Sequence, residues 1–453
     1  FTIDKEANEA VIRITGDSKY ILYVNGNYIG AGPVRSWPFE QFYDTYHIDR
    51  HLKKGRNTIA VLVHHYGNST FQYIQGRGGL FAQLKYSDGD IYKTVATDNT
   101  WKTHVHTGYK RNSVRISCQQ AWAEIFDANM MDEQWKDPDF DDSTWSDATE
   151  LGGYGIQPWL NVIPRDIPQF REDILYPVRI LTYKNIISTG QSITLDLQPN
   201  FFPGEYDSNP KVFTGFIASI INSPCSMKAK IRFPWDKWLS VYGDFRIDDR
   251  MYHIEQGQSE VEVEFKEGKN LFLMDVNILS DEPVTFTAPF HNDSEFITIG
   301  PFDKSSILNI GEIRDNSIDF NNADYKNAGQ VKCADDLADF KRWIKPVNKE
   351  HMCSDNVYMD TIYREVISKF DTSYKIQNMI IPNEEYTEIK PMDKGDVEVV
   401  IDFGKEISGY IELDIEASQG NILDFYGIEC IQPNGKVEHT DGVHCTMRYI
   451  AKD

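Results

Sequence analysis

Apolar and polar residues alternate with a period of two along most of the chain. The segment AVIRITGDSKYILYVNGNYIG (10–30) contains two runs rich in Ile, Val and Tyr that meet at Asn25-Gly26. An Asn-Gly pair supplies the positive φ angles that a two-residue hairpin turn requires. The segments NTIAVLVHHYG (57–67) and GGLFAQLKYSDGDIYKTVATD (78–98) have the same pattern, with Asp88-Gly89 as a second hairpin turn. Short strands separated by turn signals in this way are typical of β-sandwiches.

Two parts of the chain contain the same two sequence patterns in the same order. KYILYVNGNYIG (19–30) resembles KWLSVYGDFRI (237–247), and in both a Val-x-Gly-Asn/Asp-aromatic pattern predicts a hairpin. GRNTIAVLV begins at Gly55, 29 residues after Gly26, and GKNLFLMDV begins at Gly268, 25 residues after Gly243. The sequence therefore predicts two copies of one jelly-roll sandwich, with chance similarity as the alternative.

A third strand-rich block occupies residues 371–453. DVEVVIDFGKEISGYIELDIEA (396–417) alternates with period two and is interrupted by Gly404 and Gly409, and Asn434-Gly435 predicts a hairpin turn. The chain stops just after the strand-like CTMRYIAKD (445–453), so we expect this sandwich to lack its closing strand.

Helical periodicity is nearly absent from the chain. The best helical segments are Ala334–Trp343 and Asn356–Phe370, and both lie between strand-rich blocks. The sequence predicts an all-β chain of tandem, jelly-roll-like β-sandwich domains with short linking helices. The predicted division is a first sandwich at 1–180, a second at 181–330, a helical linker at 331–370 and an incomplete third sandwich at 371–453.

Composition narrows the classes of function. The chain has 453 residues, 41% of them hydrophobic, with 25 Phe, 24 Tyr and 9 Trp, which is typical of globular domains and unlike disordered chains. Its formal net charge of −23 would repel phosphate backbones, so we expect no nucleic-acid partner. Since no apolar run approaches the ~18 residues of a membrane helix, we expect no membrane partner either.

Six scattered cysteines without a CxxC motif predict neither a disulfide framework nor a zinc module. Their scatter favours a reducing compartment, so a cytoplasmic location is preferred over secretion. The first residue is Phe rather than Met, so we expect a fragment or a processed product whose start does not indicate localisation.

Clusters of acids and histidines do not match metal sites. A calcium loop needs Gly at its sixth position and Glu at its twelfth, but counting from Asp137 these positions are Asp142 and Ala148. We expect this acidic run instead to bond local backbone amides in a turn. His64-His65 point to opposite faces of a strand, and His439, His444 and Cys445 fit no zinc spacing.

Other catalytic and ligand motifs are also absent from the sequence. The glycine-rich stretches GAGP (30–33) and GRGG (76–79) do not open a helix, as a phosphate site requires. There is no Gly-x-Ser-x-Gly elbow. Loop aromatics could be platforms for sugar rings, although most aromatics in a sandwich fill its core. These residues are Trp37, Tyr43, Tyr66, Tyr73 and Trp159.

Four blocks resemble the bacterial α-L-rhamnosidase family, in the order in which that family carries them. Residues 14–67, from ITGDSKYILYVNGNYIG to VLVHHYG, resemble its amino-terminal domain, and EIFDANMMDEQWKDPDFDDSTW (124–145) is similar to the segment that follows. VIPRDIPQFREDILYPVRIL (162–181) resembles the family's linker, and IDFGKEISGYIELDIEASQGNILDFYGIECIQPNGKV (401–437) resembles the β-domain that precedes the catalytic barrel. The middle of the chain, 186–345, departs from the common pattern.

The resemblance implies inverting hydrolysis that removes terminal α-L-rhamnose, carried out by two carboxyl groups in an (α/α)6 barrel beyond the third β-domain. The block after residue 370 reads as strands, so we assign no catalytic residue to this chain. The implied partners are a rhamnose-containing glycan or glycoside and the catalytic barrel of the parent chain. The alternatives are the β-region of a β-galactosidase- or glucuronidase-like hydrolase and a stand-alone carbohydrate-binding protein.

A sugar site in the first sandwich is a further implication of the resemblance. In some relatives an Asp-Asn pair near the Val-Asn-Gly hairpin holds rhamnose through calcium, whereas here the comparable loop is Asp17-Ser18. Serine lacks the amide, which weakens metal ligation, so calcium is the one cofactor considered and no metal ligand is assigned. If a site exists, we expect weak binding at one rim, with contacts from Asp17, Trp37 and Tyr43. The competing interpretation makes Trp37 an interface anchor for the barrel.

Overall fold

The computed structural model confirms an all-β, multi-domain chain, with 46% of residues in strands and 9% in helices. It describes all residues except 117–120, 158, 189–191, 205–210, 233–243, 255–259, 277–283, 288, 292, 307–318, 355, 358–363, 371–373, 391, 429, 432–436 and 439–444. The predicted hairpin at Asn434-Gly435 and the histidines His439 and His444 lie outside the described residues.

The strands of the amino-terminal region are β1 Thr2–Ile3, β2 Ala7–Asp17, β3 Lys19–Val24, β4 Asn27–Gly32, β5 Glu40–His47, β6 Gly55–Arg56, β7 Ile59–His64, β8 Gly79–Asp88, β9 Ile91–Ala96, β10 Lys102–Thr103, β11 Glu124–Asp127, β12 Ser146–Asp147 and β13 Asn161–Pro164. The middle strands are β14 Arg179–Ser188, β15 Ser192–Leu195, β16 Lys211–Ser223, β17 Met227–Arg232, β18 Asp244–Ile247, β19 Arg250–His253, β20 Glu260–Phe265, β21 Gly268–Asp275, β22 Val284–Thr287 and β23 Phe296–Ser306. The last strands are β24 Ile344–Pro346, β25 Met352–Cys353, β26 Arg364–Lys369, β27 Asp396–Asp402, β28 Ile422–Tyr426, β29 Cys430–Ile431, β30 Val437–Glu438 and β31 Thr446–Ile450.

The helices are short. The α-helices are α1 Gln198–Phe201, α2 Ala323–Ala328 and α3 Tyr374–Gln377. The 3-10 helices are Asp49–His51, Glu133–Lys136, Ala334–Phe340, Lys349–His351 and Asn378–Ile380. Among the described residues, no helix has the length and apolar character needed to cross a membrane.

The first sandwich packs a five-stranded sheet, in the order β13-β5-β2-β8-β9, against the three-stranded sheet β4-β3-β7. The inward positions of the alternating strands form its core, which includes Ile12, Ile14, Leu22 and Leu84. The hairpin at Asn25-Gly26 is confirmed, with φ angles of 49° and 78°. The second predicted hairpin is confirmed as well, since β8 and β9 pair across Gly89.

The second sandwich is built around the six-stranded sheet β19-β18-β21-β16-β23-β24, which packs against the sheets β17-β20 and β22-β15-β25. Its core is rich in phenylalanine, with the rings of Phe272, Phe286, Phe290 and Phe296 in mutual contact. Helix α2 covers the outer face of the large sheet through Ala328, next to the ring of Phe216.

The two sandwiches contain a similar strand arrangement. In the first sandwich β3 lies between β4 and β7, and in the second β18 lies between β19 and β21. β18 and β19 are joined by a turn at Asp248-Asp249, where Asp248 adopts a φ of 55°, a left-handed conformation that Asp tolerates. The hairpin predicted at Gly243 lies outside the described residues, and the repeat stays a prediction.

The predicted linker at 331–370 contains both helix and strand where it is described. Ala334–Phe340 forms a 3-10 helix, but the helix predicted over Asn356–Phe370 is wrong at Arg364–Lys369, which is a strand, and its residues 358–363 lie outside the described residues. β24 and β25 join the sheets of the second sandwich. Apolar residues at helical spacing misled the prediction here, because long-range pairing decided the conformation.

The carboxyl-terminal strands pair with distant parts of the chain. β14, which the sequence placed at the start of the second sandwich, lies between β26 and β27. β31 pairs with β28 and, in parallel, with β11 of the amino-terminal region. Residues 403–418 form no β-ladder with any described residue, although their sequence alternates as a strand would. The division of the chain into three sandwiches and a linker therefore stays a prediction at its boundaries.

Candidate functional site

Asp17 lies at the end of β2, at one rim of the first sandwich, and its side chain is only 3% exposed. Its Oδ1 accepts hydrogen bonds from the Tyr73 hydroxyl and from Ser18 Oγ, 3.3 Å away, and lies 3.0 Å from His65 Nδ1. β8 fixes the backbone of Asp17 opposite Gly79, and the Ser18 N–H donates to the His64 carbonyl. The carboxylate is thus held in one orientation.

Tyr73 controls that orientation from the adjoining loop. Its hydroxyl accepts a hydrogen bond from the Gly76 N–H at 3.0 Å while it donates to Asp17. Burial, together with the hydrogen bond to Asp17, raises the pKa of Tyr73 to about 12. The phenol therefore stays protonated and remains a donor at neutral pH.

This arrangement does not fit the calcium site that the resemblance suggested. Oδ1 of Asp17 already accepts hydrogen bonds from the hydroxyls of Tyr73 and Ser18. The Ser18 hydroxyl donates to Asp17 and accepts a hydrogen bond from the N–H of Tyr66. Among the described residues, no three His, Cys, Asp or Glu side chains are grouped as a metal site requires.

Trp37 and Tyr43 are the other two residues of the predicted sugar site. Trp37 is 58% exposed and stacks on Phe39, with ring centroids 6.1 Å apart. Tyr43 is partly buried in β5, a neighbour of β2 in the sheet. Within the described part of the chain, no hydrogen bond or ring contact joins either side chain to Asp17. The three-residue sugar site stays a prediction.

The aromatic residues that do accompany Asp17 form a row. Tyr73 contacts Tyr66 with ring centroids 5.3 Å apart, and Tyr66 contacts Trp122 at 6.1 Å. The guanidinium of Arg115 lies 5.4 Å from the centre of the Trp122 ring. Sequence reasoning named Tyr66 and Tyr73 but missed Trp122. The alternating Ala121-Trp122-Ala123-Glu124 stretch was the available signal, since alternation puts Trp122 and Glu124 on one side of an extended chain.

A second polar cluster fastens the linker to the first sandwich. Asp44 is fully buried and accepts hydrogen bonds from the hydroxyl of Tyr20 at 2.5 Å, from Arg165 at 2.9 Å and from Gln169 at 3.1 Å. Burial, followed by the charge of Asp44, raises the pKa of Tyr20 far above its usual value. Arg165 also donates to the carbonyls of Ile167 and Pro168. The residue that pairs with Asp44 therefore also holds the backbone of the linker.

The acidic side chains near Asp137 bond local backbone amides, as the sequence predicts. Asp132 caps the 3-10 helix Glu133–Lys136 by accepting from the Gln134 N–H, and Asp141 accepts from the Ser143 N–H. The Gly26 N–H donates to the carbonyl of Lys136, and a Cβ on Gly26 would lie 2.4 Å from Asp137 Oδ1. The run therefore packs under the first hairpin.

Three family models match the chain in succession. They are the α-L-rhamnosidase N-terminal domain at residues 5–169, the α-L-rhamnosidase domain D2 at 191–350 and the bacterial α-L-rhamnosidase concanavalin-like domain at 392–452. No curated protein sequence matches the chain at the required significance.

Solved structures include one close counterpart. The GH78 family rhamnosidase of Bacillus sp. GL1 superposes with a TM-score of 0.90 and 32% identity over 100% of this chain. The chain spans about half, 48%, of that protein's length. The α-L-rhamnosidase from Dictyoglumus thermophilum aligns with 64% of this chain and 32% of its own, at 19% identity and a TM-score of 0.34, which is too low to define a shared arrangement.

Proposed function

Because this chain belongs to the bacterial α-L-rhamnosidase family, we propose that it is the non-catalytic β-sandwich portion of a glycoside hydrolase that removes terminal α-L-rhamnose from glycosides. The observation that carries the proposal is the succession of three family matches, each to a β-rich domain, together with the match to a Bacillus rhamnosidase of about twice the length. This succession favours a rhamnosidase over the β-region of a β-galactosidase- or glucuronidase-like enzyme.

The proposed partners are a rhamnose-containing glycoside and the catalytic barrel of the same enzyme. The carboxyl-terminal region supports a scaffold role, because it presents apolar side chains to solvent. Tyr410 is 84% exposed, and Ile411 and Leu413 are more than half exposed. Exposed apolar surface of this kind marks an interaction surface.

The test compares the 453-residue chain with the complete enzyme on an aryl α-L-rhamnoside. We expect turnover by the complete enzyme and none by the purified chain. The proposal fails if the chain itself turns over the substrate and a point mutation within it abolishes that turnover. A binding-only protein would be indicated if the native gene ended near Asp453.

A second candidate function is weak sugar binding at the rim of the first sandwich. The exposed ring of Trp37, stacked on Phe39, favours it, because sugars pack on aromatic faces, and Asp17, Trp37 and Tyr43 are its proposed contacts. We expect millimolar affinity for L-rhamnose at best, about −4 kcal/mol. Titration with and without calcium tests the site, and a saturable signal lost in Trp37→Ala would support it.

A further inference from the structure

A deep groove runs along the outer face of the β4-β3-β7 sheet in the first sandwich, under the segment that carries β10 to β12. Its walls include Lys19 and His64 from the sheet and Tyr66 just beyond it. Tyr109, Trp122 and Glu124 line the groove from the covering segment. The groove is separate from the exposed Trp37–Phe39 pair, neither of which lines it.

The aromatic walls of the groove are already arranged as neighbouring platforms. The rings of Tyr66 and Trp122 lie 6.1 Å apart at an interplanar angle of 61°, and the His64 ring meets Tyr66 edge-on at 4.7 Å. Both Tyr66 and Trp122 are only partly buried. Arg115 is buried, and its guanidinium lies 5.4 Å from the centre of the Trp122 ring.

Charged and polar groups stand beside these rings. Lys19 Nζ lies 5.5 Å from the centre of the Tyr66 ring and its strand pairs Lys19 with His64. Desolvation, ahead of the charges of Lys19 and His65, lowers the pKa of His64, so its imidazole is neutral at pH 7. Desolvation also raises the pKa of Glu124. The part of the groove that holds Lys19, His64 and Glu124 is thus polar, within a lining that carries further basic and acidic side chains.

We propose that this groove binds a neutral oligosaccharide, with Tyr66 and Trp122 packing against the apolar faces of its sugar rings and Lys19 and Glu124 bonding its hydroxyls. Partly exposed aromatic faces next to a few fixed polar groups are the chemistry that recognises sugars. A ligand with high net charge fits poorly, because basic and acidic side chains both line the groove. The choice of a rhamnose-containing sugar as probe rests on the proposed function.

The test titrates rutinose, a neutral disaccharide of rhamnose and glucose, into the 453-residue chain and follows heat and saturation-transfer NMR. We expect saturable binding that weakens by at least about tenfold in Trp122→Ala, as for loss of a central aromatic contact. Tyr92→Ala is the matched control, because Tyr92 is an exposed aromatic residue of the same sandwich that does not line the groove, and it should bind as the unmodified chain does. Glu124→Gln changes no shape and should also weaken binding, which guards against a folding defect in Trp122→Ala.

Two results would overturn the proposal. One is the absence of any saturable signal up to about 50 mM, a concentration that would detect even a millimolar site. The other is binding that Trp37→Ala abolishes while Trp122→Ala and Glu124→Gln leave it intact, which would place the sugar at the rim. The readout is binding and not turnover, so failure here leaves the proposed function standing, and turnover by the isolated chain would remove that function without deciding this site.

Discussion

Asn57 and Asn270 make the same three hydrogen bonds in two different sandwiches. Asn57 Nδ2 donates to the carbonyls of Lys53 and Gly55, and its Oδ1 accepts from the Lys53 N–H, at 2.6, 3.0 and 2.9 Å. Asn270 bonds Lys266 and Gly268 in the same way, at 2.8, 2.9 and 2.9 Å. Each carboxamide closes the turn at the start of a strand, β7 in the first sandwich and β21 in the second, so the two sandwiches share this turn.

We predict that Asn57→Ala and Asn270→Ala each destabilise their sandwich by about 2–4 kcal/mol, because both side chains are 1% exposed and their loss leaves backbone groups unsatisfied. Urea unfolding followed by tryptophan fluorescence and circular dichroism measures the effect. Asn27→Ala is the control, since its bonds to Val24 and Asn25 are at an exposed position, and it should cost about 0.5 kcal/mol or less. Equal losses for the buried and the exposed asparagine would contradict the prediction.

The repeat shows what the sequence could and could not reveal. Gly55 and Gly268 were recognised as equivalent, and both adopt the left-handed φ, 96° and 88°, that this turn requires. The turn between β18 and β19 carries no glycine, and Asp248 takes the left-handed position there. Turns that only glycine fits are therefore easier to recognise in a sequence than turns that Asp or Asn also fits.

Long-range pairing was outside the reach of sequence patterns. Nothing in the alternation of Thr446–Ile450 indicates that this strand pairs in parallel with Glu124–Asp127, more than 300 residues earlier. The same limit applies to the candidate site. Asp17 was recognised from its loop, but its bond to Tyr73 depends on a loop folding back over the rim, and Trp122 reaches Tyr66 only through the fold.

The ion pair between Asp44 and Arg165 yields a prediction about the linker. Both side chains are buried, so Asp44→Asn should cost about 3–5 kcal/mol by leaving the Arg165 guanidinium uncompensated. Arg165→Met should cost a similar amount. The double variant should lose at least about 1 kcal/mol less stability than the sum of the two single losses, because the two residues belong to one hydrogen-bond network. Additive losses in urea unfolding would show that the two charges are not coupled.

Tyr73 is predicted to order the rim through Asp17. Tyr73→Phe removes the donor to Asp17 and the acceptor for the Gly76 N–H, so it should cost about 1–3 kcal/mol. Hydrogen exchange should rise in the loop that contains Tyr73 and stay unchanged in the second sandwich. Tyr92→Phe is a suitable control, because its hydroxyl also bonds a carboxylate, Glu9, but at an exposed position. A loop that remains as protected in Tyr73→Phe as before would contradict this role.

The exposed apolar side chains of the linker and the carboxyl-terminal region should make the isolated chain associate with itself. Ile174 is 72% exposed and Leu413 is 51% exposed. Replacing both with Ser should leave stability within about 0.5 kcal/mol, because neither fills a core. Sedimentation velocity should show less association in the double variant. Ile12→Ser, a core change, should instead unfold the first sandwich, and unchanged association in the surface variant would contradict the prediction.

We predict that the free energy of unfolding depends on pH through the buried carboxyl group of Asp275, on β21. Its Oδ2 accepts a hydrogen bond from the hydroxyl of Tyr325 at 2.5 Å, while its Oδ1 is buried without a hydrogen-bond partner among the described residues. Burial raises the pKa of Asp275 from 3.8 to about 6, and the charge of Asp244 adds to the shift. The folded chain therefore keeps this proton at pH values where the unfolded chain has lost it.

The favourable contribution of protonated Asp275 is complete below about pH 4 and is lost as the pH rises through about 6, which amounts to about 3 kcal/mol at most. Asp275→Asn stays neutral and can still accept from Tyr325, so it should be more stable than the unmodified chain at pH 8 and equally stable at pH 4. Urea midpoints of both chains at pH 4 and pH 8 measure the difference in stability between them. The titration of all other groups affects both chains equally, so it cancels in this difference. A difference that does not change with pH would mean that Asp275 is ionised in the folded chain at little cost, and the buried Oδ1 would then need another source of stabilisation.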